Sequence, residues 1–243
     1  MSENIRILVL NPVSVEIWNE LTYKYLEKII ESSTQIVVKN VEKAPPAIEY
    51  EYDKVLAEHL VVEEVVKANK EGFNAVVINC FDDPGLYASR EVSDIPVFGI
   101  GETSLYYALM IGNNIAIIST GRHSSIVYRR RVRELGIEDR VVYIAGIEMP
   151  VLDLRKDERK TIDMLVKELE KAVNNYNADV AVLGCGGLIG LADYLSNIMN
   201  MPVIDPTLVT VKIAEASAKL KYRHSKKIFQ QNITRYIDDE SLF

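Results

Sequence analysis

Cysteine and histidine are scarce in this chain of 243 residues, which has two cysteines and three histidines. The histidines, His59, His123 and His224, are not in metal-ligand spacing with one another or with a cysteine, so the sequence shows no zinc motif. It also has neither a serine in a nucleophile-elbow motif nor a phosphate-binding loop ending in Gly-Lys-Ser or Gly-Lys-Thr. These absences leave the two cysteines, Cys80 and Cys185, as the most distinctive chemical groups.

An excess of basic residues and long apolar runs are also missing. The formal net charge is −7 and the isoelectric point is about 5.2, which argues against a nucleic-acid partner. The one basic run, at residues 129–133, is expected to be a solvated helix face. No apolar stretch reaches the roughly 20 residues of a membrane span, and the chain enters a strand without a basic leader. We therefore expect a cytoplasmic protein with no membrane partner, where cysteine pairs are more often catalytic or metal-binding than disulfide-bonded.

Short apolar runs rich in Val and Ile alternate with longer amphipathic stretches. This alternation predicts an α/β fold with mostly parallel sheets flanked by helices. The predicted strands are residues 5–10, 36–38, 75–78, 97–98, 115–118, 141–144, 180–183 and 203–204. The predicted helices are residues 14–32, 53–71, 102–111, 122–135, 157–176, 187–199 and 207–221.

An internal repeat divides the chain into two similar halves. The segment Ala-Val-Val-Ile-Asn-Cys at 75–80 reappears 105 positions later as Val-Ala-Val-Leu-Gly-Cys at 180–185. In both halves a Gly-Leu pair follows the cysteine and a Pro-Val pair begins the next strand. We predict two pseudosymmetric domains with a ligand cleft between them. The first is residues 1–99 joined by a C-terminal helix at 207–243, and the second is residues 100–206.

Both cysteines follow the carboxyl end of a predicted strand, the edge at which open parallel sheets bind ligands. Backbone N–H groups at the start of the next helix favour a thiolate, and Gly186 and Gly187 would let a substrate approach the main chain after Cys185. A thiolate and a thiol on opposite faces of a carbon acid can exchange its proton and invert the stereocentre. The pattern therefore indicates a two-cysteine acid/base pair formed by Cys80 and Cys185.

Other interpretations of these residues stay open. Isolated cysteines are often buried as small hydrophobic residues. The glycine-rich stretch at 184–190, with Asp205 about twenty residues beyond its start, also resembles a dinucleotide-binding loop, although Ile189 occupies the third glycine position. A two-domain protein that binds a small molecule without turnover is the non-enzymatic alternative.

Four segments carry a resemblance to a known family. They are residues 7–12 (Ile-Leu-Val-Leu-Asn-Pro), parts of 45–57, residues 80–86 (Cys-Phe-Asp-Asp-Pro-Gly-Leu) with 96–102, and residues 183–188 (Leu-Gly-Cys-Gly-Gly-Leu). Together they resemble the aspartate/glutamate racemase superfamily, and most closely its hydantoin racemase branch. The resemblance implies two Rossmann-like domains, an active site between them, catalysis without PLP or a metal ion, and Cys80 and Cys185 as the acid/base pair. The substrate contacts that it suggests are Asn11, Phe81, Asp82, Ser119, Thr120, Gly121, Gly186 and Gly187.

The resemblance also narrows the substrate to a small carbon acid. Hydantoin racemases interconvert D- and L-5-monosubstituted hydantoins, whereas relatives racemise allantoin, aspartate or glutamate, or isomerise maleate. Relatives that decarboxylate arylmalonates keep only one of the cysteines, which disfavours that activity here. A neutral hydantoin ring is favoured because the recognised segments offer only Arg122 as a cationic contact for a carboxylate. Family likeness further implies a homo-oligomer, either a dimer or a tetramer.

Three positions depart from the branch, of which Gly186, in place of the common alanine after the second cysteine, is a small change. Ala47 stands where a serine is common, and the loop that begins at Ser119 lacks the usual pair of threonines. This loop adds Arg122 and His123, which either meet an anionic group or, as we favour, cap the following helix or lie at the surface.

Overall fold

The computed structural model of the chain describes residues 4–229. Contacts between residues divide it into two compact units. Unit 1 contains the chain up to Gly99 together with Thr210 onwards, and unit 2 contains Ile100–Val209. The chain therefore passes from unit 1 into unit 2 and back again.

Unit 1 is built on a parallel sheet of four strands in the order β2-β1-β3-β4. Its elements are β1 (Ile5–Asn11), α1 (Asn19–Leu26), β2 (Thr34–Asn40), α2 (Glu51–Lys70), β3 (Ala75–Ile78), α3 (Leu86–Val92) and β4 (Val97–Gly99). The register places Asn11 opposite Asn40 and Leu10 opposite Ile78. The carboxyl ends of these three strands consequently meet at one edge of the sheet. All four residues of β3 are buried, as expected for a parallel strand with helices packed on both faces.

Unit 2 repeats this topology, with a parallel sheet in the order β6-β5-β7-β8. Its elements are α4 (Ile100–Ile111), β5 (Ile115–Ser119), α5 (Ser124–Glu134), β6 (Val141–Gly146), α6 (Glu158–Tyr176), β7 (Val180–Leu183), α7 (Ala192–Met199) and β8 (Val203–Ile204). Short 3-10 turns lie at Glu138–Arg140, Val151–Asp153 and Gly186–Leu188. Helix α8 (Pro206–Lys219) begins in unit 2 and ends in unit 1.

A buried carboxylate fixes the second half of α8 to unit 1. Glu215 is 1% exposed and accepts hydrogen bonds from the backbone N–H of Glu31, at 3.1 Å, and from the hydroxyl of Thr34. Thr34 is the first residue of β2, so these bonds attach the helix to the amino end of that strand.

The predicted α/β class and all eight predicted strands are confirmed. The predicted helices at 53–71, 102–111, 122–135 and 157–176 correspond to α2, α4, α5 and α6, with ends that differ by no more than two residues. Within residues 4–229, none of the helices is long and apolar enough to cross a membrane.

The helix predicted at 14–32 is wrong over most of its length, since only α1 is helical there. The side-chain amide of Asn40 donates to the carbonyl oxygens of Val13, at 3.0 Å, and Val15. The backbone N–H of Val41 also donates to Val13, at 3.2 Å. These carbonyls bond to the end of β2 and to the residue after it, so the segment before α1 forms a loop.

Two further helices differ from the prediction near the cysteines. The seven-residue helix α3 follows Cys80 and is too short to show a helical period in the sequence. The helix predicted at 187–199 begins only at Ala192, and its first residues form a 3-10 turn instead.

The predicted C-terminal helix at 207–243 ends at Lys219. Lys221 adopts a left-handed conformation with φ of 59°, and the backbone N–H of Tyr222 donates to the carbonyl oxygen of Ser217 at 3.0 Å. This Schellman arrangement satisfies the last helical carbonyls and turns the chain away. His224 then bonds through Nε2 to the backbone of Val97 in β4, at 2.9 Å. The part of the prediction that covers 230–243 lies outside the described residues.

Candidate active site

Cys80 lies in a tight turn directly after β3. It is half-buried, whereas its neighbours Asn79 and Phe81 are buried, so Cys80 is the most accessible of the three. The backbone N–H of Asp83 donates to the carbonyl oxygen of Cys80 at 3.0 Å and closes the turn. Asp83 has a φ of 46°, in the left-handed region that aspartate and asparagine adopt more often than most residues.

A chain of three asparagine side chains runs beside this turn. Nδ2 of Asn79 donates to Oδ1 of Asn11 at 2.7 Å, and Nδ2 of Asn11 donates to Oδ1 of Asn19 at 2.8 Å. Asn11 ends β1 and Asn79 follows β3, so the pairing of these strands brings the two amides together. An amide group has two N–H donors. The network therefore fixes the orientation of the Asn11 amide.

The Asp83 side chain reaches the carboxyl end of β4. A Cβ built on Gly99 would lie 2.3 Å from Cγ of Asp83, so the carboxyl group packs directly on the Cα of Gly99. Gly85 has a φ of 68°, and a Cβ there would lie 2.7 Å from the carbonyl oxygen of Glu58 in α2. The Cys80 turn thus packs closely against both β4 and α2, and each contact depends on a glycine.

Cys185 takes the corresponding place in unit 2, directly after β7 and Gly184. It is half-buried between the buried residues Gly184 and Gly186. The backbone N–H of Gly187 donates to its Sγ at 3.4 Å, a contact that favours the thiolate. Gly184 packs on Ser119, since a Cβ at Gly184 would lie 2.6 Å from Cβ of Ser119. The Ser119 hydroxyl donates to the carbonyl oxygen of Gly184 at 2.7 Å and thereby ties β5 to the Cys185 turn.

Two charged side chains hold the Cys185 turn, which we define as residues 184–190. Arg155 donates from Nε to the carbonyl oxygen of Gly187 at 3.0 Å, and from its guanidinium to the carbonyl oxygen of Ile189. Oδ2 of Asp205 accepts a hydrogen bond of 2.7 Å from the backbone N–H of Gly190. The turn is therefore bonded on its carbonyl side by a cation and on its N–H side by an anion.

Asp205 is itself buried, with an exposure of 6%, at the point where β8 leads into α8. Its Oδ1 accepts hydrogen bonds from the backbone N–H groups of Thr207, at 3.0 Å, and Leu208, at 3.1 Å. Burial raises the pKa of Asp205 to about 6, against the lowering effect of these N–H donors, that of Gly190, and the charge of Arg155. In contrast to the dinucleotide interpretation, in which Asp205 meets a ribose, both carboxylate oxygens bond to main-chain donors.

The loop after β5 carries the remaining predicted contacts of unit 2. Ser119 and Thr120 are buried, with exposures of 1% and 7%, and Gly121 is half-buried. A Cβ on Gly146 would lie only 1.8 Å from the carbonyl oxygen of Gly121, so the end of β6 packs against this loop.

Arg122 and His123 lie beyond this loop, at the start of α5. The Arg122 side chain is 82% exposed and its Nε lies 3.8 Å from Oε1 of Glu148, which is also largely exposed. An ion pair of this kind contributes little to stability. Both side chains are exposed, which agrees with the preferred interpretation of a cap or surface position, and the His123 side chain makes no capping hydrogen bond to α5.

Each unit gathers its own set of predicted residues at the carboxyl edge of its sheet. In unit 1 these are Asn11, Cys80, Phe81 and Asp82. Phe81 is 1% exposed and belongs to the core, whereas Asp82 is half-buried. In unit 2 they are Ser119, Thr120, Gly121, Cys185, Gly186 and Gly187. Within residues 4–229, no three side chains of His, Cys, Asp or Glu are placed to hold a metal ion.

The residues that support the two cysteine turns do not stand out in the sequence as site residues. Asp83 and Asn79 adjoin Cys80 in the sequence, and their polar character next to an apolar strand is a usable signal. Arg155 lies 30 positions before Cys185 and bonds to backbone carbonyls, which leave no pattern in the sequence.

Comparison with known proteins identifies the family of this chain. The profile of the family described as Asp/Glu/Hydantoin racemase matches residues 7–214. A hydantoin racemase of Pseudomonas sp. (strain NS671) is 36% identical over 222 residues, which are 91% of this chain and 89% of that protein. A hydantoin racemase of Paenarthrobacter aurescens is 32% identical over 223 residues, 91% of this chain and 94% of that protein. The structure of allantoin racemase from Klebsiella pneumoniae matches with a TM-score of 0.89 at 27% identity, covering 94% of each chain.

These matches extend over nearly the whole chain, and they confirm the resemblance inferred from the four sequence segments. The chain belongs to the Asp/Glu/hydantoin racemase family and is an isomerase of the racemase type.

Proposed function

We propose that this racemase interconverts D- and L-5-monosubstituted hydantoins by proton transfer between the stereogenic carbon and two cysteines, without a cofactor. The observation that carries the proposal is the equivalence of Cys80 and Cys185. Each is the half-buried residue that follows the third strand across its sheet, β3 in one unit and β7 in the other. A two-base mechanism needs two groups of matched acidity, and two cysteines in equivalent settings meet that need.

In the proposed reaction one cysteine is a thiolate and the other is a thiol. The thiolate takes the proton from C5 of the hydantoin, and the electron pair passes into the adjacent carbonyl group as an enolate. The thiol then gives its proton to the opposite face of C5, and the enolate collapses to the carbonyl. The enzyme is left with the protonation states of the two sulfurs exchanged, which suits it to the other enantiomer.

The surroundings of Cys185 support its role as one of the two bases. The N–H of Gly187 donates to Sγ, which stabilises the thiolate relative to the thiol. Gly186 and Gly187 have no side chains, so a planar ring can approach their backbone closely. Since the N–H of Gly187 donates to Sγ, we propose that the N–H of Gly186 contacts the ring carbonyl oxygen on which charge develops.

A neutral ring suits the charges near the two turns. The guanidinium of Arg155 is engaged by the carbonyls of Gly187 and Ile189 and by Glu158, at 2.6 Å. Arg122 pairs with Glu148 at an exposed position. An amino acid such as aspartate brings two carboxylates that need cationic contacts, whereas a hydantoin brings none. The hydantoin racemases at 36% and 32% identity support the same substrate class.

Allantoin is the second candidate substrate, and it is favoured by the likeness to allantoin racemase at a TM-score of 0.89. Allantoin is itself a hydantoin that carries a ureido group at C5, so the chemistry at the reacting carbon is the same. The two candidate substrates differ only in the substituent at C5, so comparing the rates of racemisation of the two distinguishes them directly.

We further propose which side chains contact the substrate. The proposed polar contacts of unit 1 are the amide of Asn11 and the carboxylate of Asp82, and Phe81 is the proposed apolar contact. The proposed contacts of unit 2 are Ser119, Thr120, Gly121, Gly186 and Gly187. The Ser119 hydroxyl proton is directed to Gly184, so its oxygen is suited to accept a bond from a ring N–H.

The experiment is racemisation of single enantiomers in D₂O, followed by polarimetry and by proton NMR of C5–H. The panel contains 5-benzyl-, 5-isopropyl- and 5-(2-methylthioethyl)hydantoin, allantoin, aspartate and glutamate, with maleate assayed for isomerisation. We expect loss of optical rotation together with deuterium uptake for at least one hydantoin. Turnover of aspartate, glutamate or maleate with inert hydantoins would replace the proposed substrate class. Tight binding of a hydantoin without deuterium uptake would favour a binding protein without turnover.

We also propose that the enzyme works in the cytoplasm as a homo-oligomer, with no nucleic-acid or membrane partner. Neither cysteine is in a disulfide, and the mechanism requires thiols that a reducing compartment maintains. Tyr52, Val55 and Leu56, near the start of α2, are 72%, 60% and 40% exposed, which suits a contact between subunits. Light scattering at micromolar concentration should give the mass of a dimer or tetramer, and a monomer would contradict the proposal.

A further inference from the structure

We infer that Arg155 and Asp205 are positioning residues that hold the Cys185 turn in the conformation that its thiolate needs. That Cys185 takes part in catalysis is taken from the proposed function. The effect of Arg155 and Asp205 on Cys185 is inferred from the contacts of unit 2 alone.

The hydrogen bond that stabilises the Cys185 thiolate comes from the backbone of Gly187. The N–H of this residue donates to Sγ at 3.4 Å, and its carbonyl oxygen belongs to the next peptide group along the chain. The two peptide groups meet at the Cα of Gly187. Since glycine has no Cβ, little in the residue itself restrains the rotation of one group against the other.

Arg155 supplies this restraint from the carbonyl side. Its Nε donates to the Gly187 oxygen at 3.0 Å, and another nitrogen of the same guanidinium donates to the Ile189 oxygen. A planar guanidinium that bonds to two carbonyls sets their relative orientation, which a lysine ammonium does not. The Arg155 side chain is only 19% exposed and is itself oriented by Glu158 at 2.6 Å.

Asp205 supplies the restraint at the end of the turn. One oxygen accepts the N–H of Gly190 at 2.7 Å, and the other accepts the N–H groups of Thr207 and Leu208 in the first turn of α8. Because the carboxylate is buried, it has no water to replace these donors. The amide of asparagine has one acceptor oxygen, so Asp205→Asn would set an NH₂ group against one of these N–H donors.

Unit 2 contains a matched pair of controls at the opposite edge of its sheet. Arg140 donates to the carbonyl oxygens of Gly112 and Asn113, both at 2.8 Å. Asp179 accepts the backbone N–H groups of Asn113 and Asn114, both at 2.9 Å. Arg140 directly precedes β6 and Asp179 directly precedes β7, so both lie at the amino end of the sheet. Arg140→Lys and Asp179→Asn therefore make the same chemical changes far from the carboxyl edge that bears Cys185.

The experiment compares Arg155→Lys and Asp205→Asn with these two controls in the full-length chain. The first measurement is the rate of alkylation of each cysteine by iodoacetamide between pH 5 and 10, with the two sites resolved by peptide mass spectrometry. The second is kcat and KM for racemisation of the preferred hydantoin. Cys80 in unit 1 is the internal reference in each alkylation experiment, and circular dichroism verifies that the variants are folded.

We expect the pH midpoint of Cys185 alkylation to rise by roughly half a unit or more in both variants, because Sγ loses the aligned N–H of Gly187. The Cys80 midpoint should not move, and the control variants should match the wild type at both cysteines. We expect kcat to fall between about tenfold and a hundredfold, with KM changed less than kcat, as for a misplaced reacting group.

An unchanged Cys185 midpoint in a folded variant would overturn the inference. An equal shift at Cys80, or an equal shift in Arg140→Lys and Asp179→Asn, would also overturn it by showing a general loss of stability. The alkylation measurement needs no substrate. If the proposed function fails, no hydantoin is racemised by the wild type, yet the shift at Cys185 alone is still observed, so the two failures are distinguishable.

Discussion

The backbone N–H of Gly190 donates a 2.7 Å hydrogen bond to the buried carboxylate of Asp205, which joins the Cys185 turn to the end of β8. Unit 1 has a related contact between an aspartate and a glycine, but the two residues have exchanged places. There the aspartate belongs to the cysteine turn, as Asp83, and its carboxyl group packs on Gly99 at the end of β4. Each unit thus uses one buried aspartate to fix its cysteine turn to the last strand of its sheet.

The first prediction concerns the pH dependence that Asp205 gives to stability. Burial raises its pKa from 3.8 to about 6, so between these values the folded state binds more protons than the unfolded state. The contribution of Asp205 to stability is therefore fully present below about pH 4 and is lost as the pH rises through about 6. A shift of this size corresponds to about 3 kcal/mol.

Urea unfolding of the wild type and of Asp205→Asn between pH 4 and 7.5 checks this prediction. The asparagine does not titrate, so the difference in unfolding free energy between the two proteins isolates Asp205. This difference should move in favour of the wild type as the pH falls from 7 to 4. A difference that does not depend on pH would show that the carboxyl group titrates normally.

The second prediction concerns the contact between Asp83 and Gly99. In Gly99→Ala the new Cβ would lie 2.3 Å from Cγ of Asp83, so the carboxyl group must leave its buried position. We expect a loss of roughly 1–3 kcal/mol in unfolding free energy, as for other overpacked sites. Chemical denaturation in an Asp83→Ala background serves as the control, because the alanine removes the clash. If Gly99→Ala costs as much in that background, the contact with Asp83 is not the cause.

The third prediction concerns the asparagine chain beside Cys80. Asn79→Ala leaves Oδ1 of Asn11 buried without its donor at 2.7 Å, which should cost about 1–3 kcal/mol of stability. It should also lower kcat, because the amide of Asn11 is no longer held in one orientation. Asn19→Ala removes the other end of the chain at a half-buried position, where water can replace the lost amide, and should cost less. Thermal and urea unfolding of the two variants decide the order, and an equal cost would contradict it.

The placement of both cysteines could be predicted from the sequence. Ala75–Ile78 and Val180–Leu183 are short continuous apolar runs rich in Val, typical of buried parallel strands, and both are strands in the structure. A residue that follows such a strand lies at its carboxyl end. The repeat adds that the two ends are equivalent, and the identical order of strands in the two sheets confirms this.

The supporting residues could not be predicted, for physical reasons that differ between them. Arg155 acts on backbone carbonyls, and the path of the loop that delivers it has no periodicity. The spacing of Asp205 from the glycine-rich turn marks it as a candidate functional residue. Spacing alone cannot show whether its carboxylate contacts a ribose or caps a helix. The loop before α1 has the composition of a helix, yet Asn40 binds its carbonyls and the helix forms only from Asn19. In each case a contact distant in sequence overrides the local pattern.

The most direct test of the two-cysteine mechanism is hydrogen exchange at C5 by Cys80→Ala and Cys185→Ala in D₂O, with the double variant as the background. Both single variants should lose racemisation in both directions, because each direction needs both cysteines. The cysteine that remains can still remove the C5 proton on its own face and return a deuteron there. Each variant should therefore exchange C5–H of one enantiomer with retention, and the two variants should act on opposite enantiomers. Racemisation by either variant, or exchange of the same enantiomer by both, would contradict the mechanism.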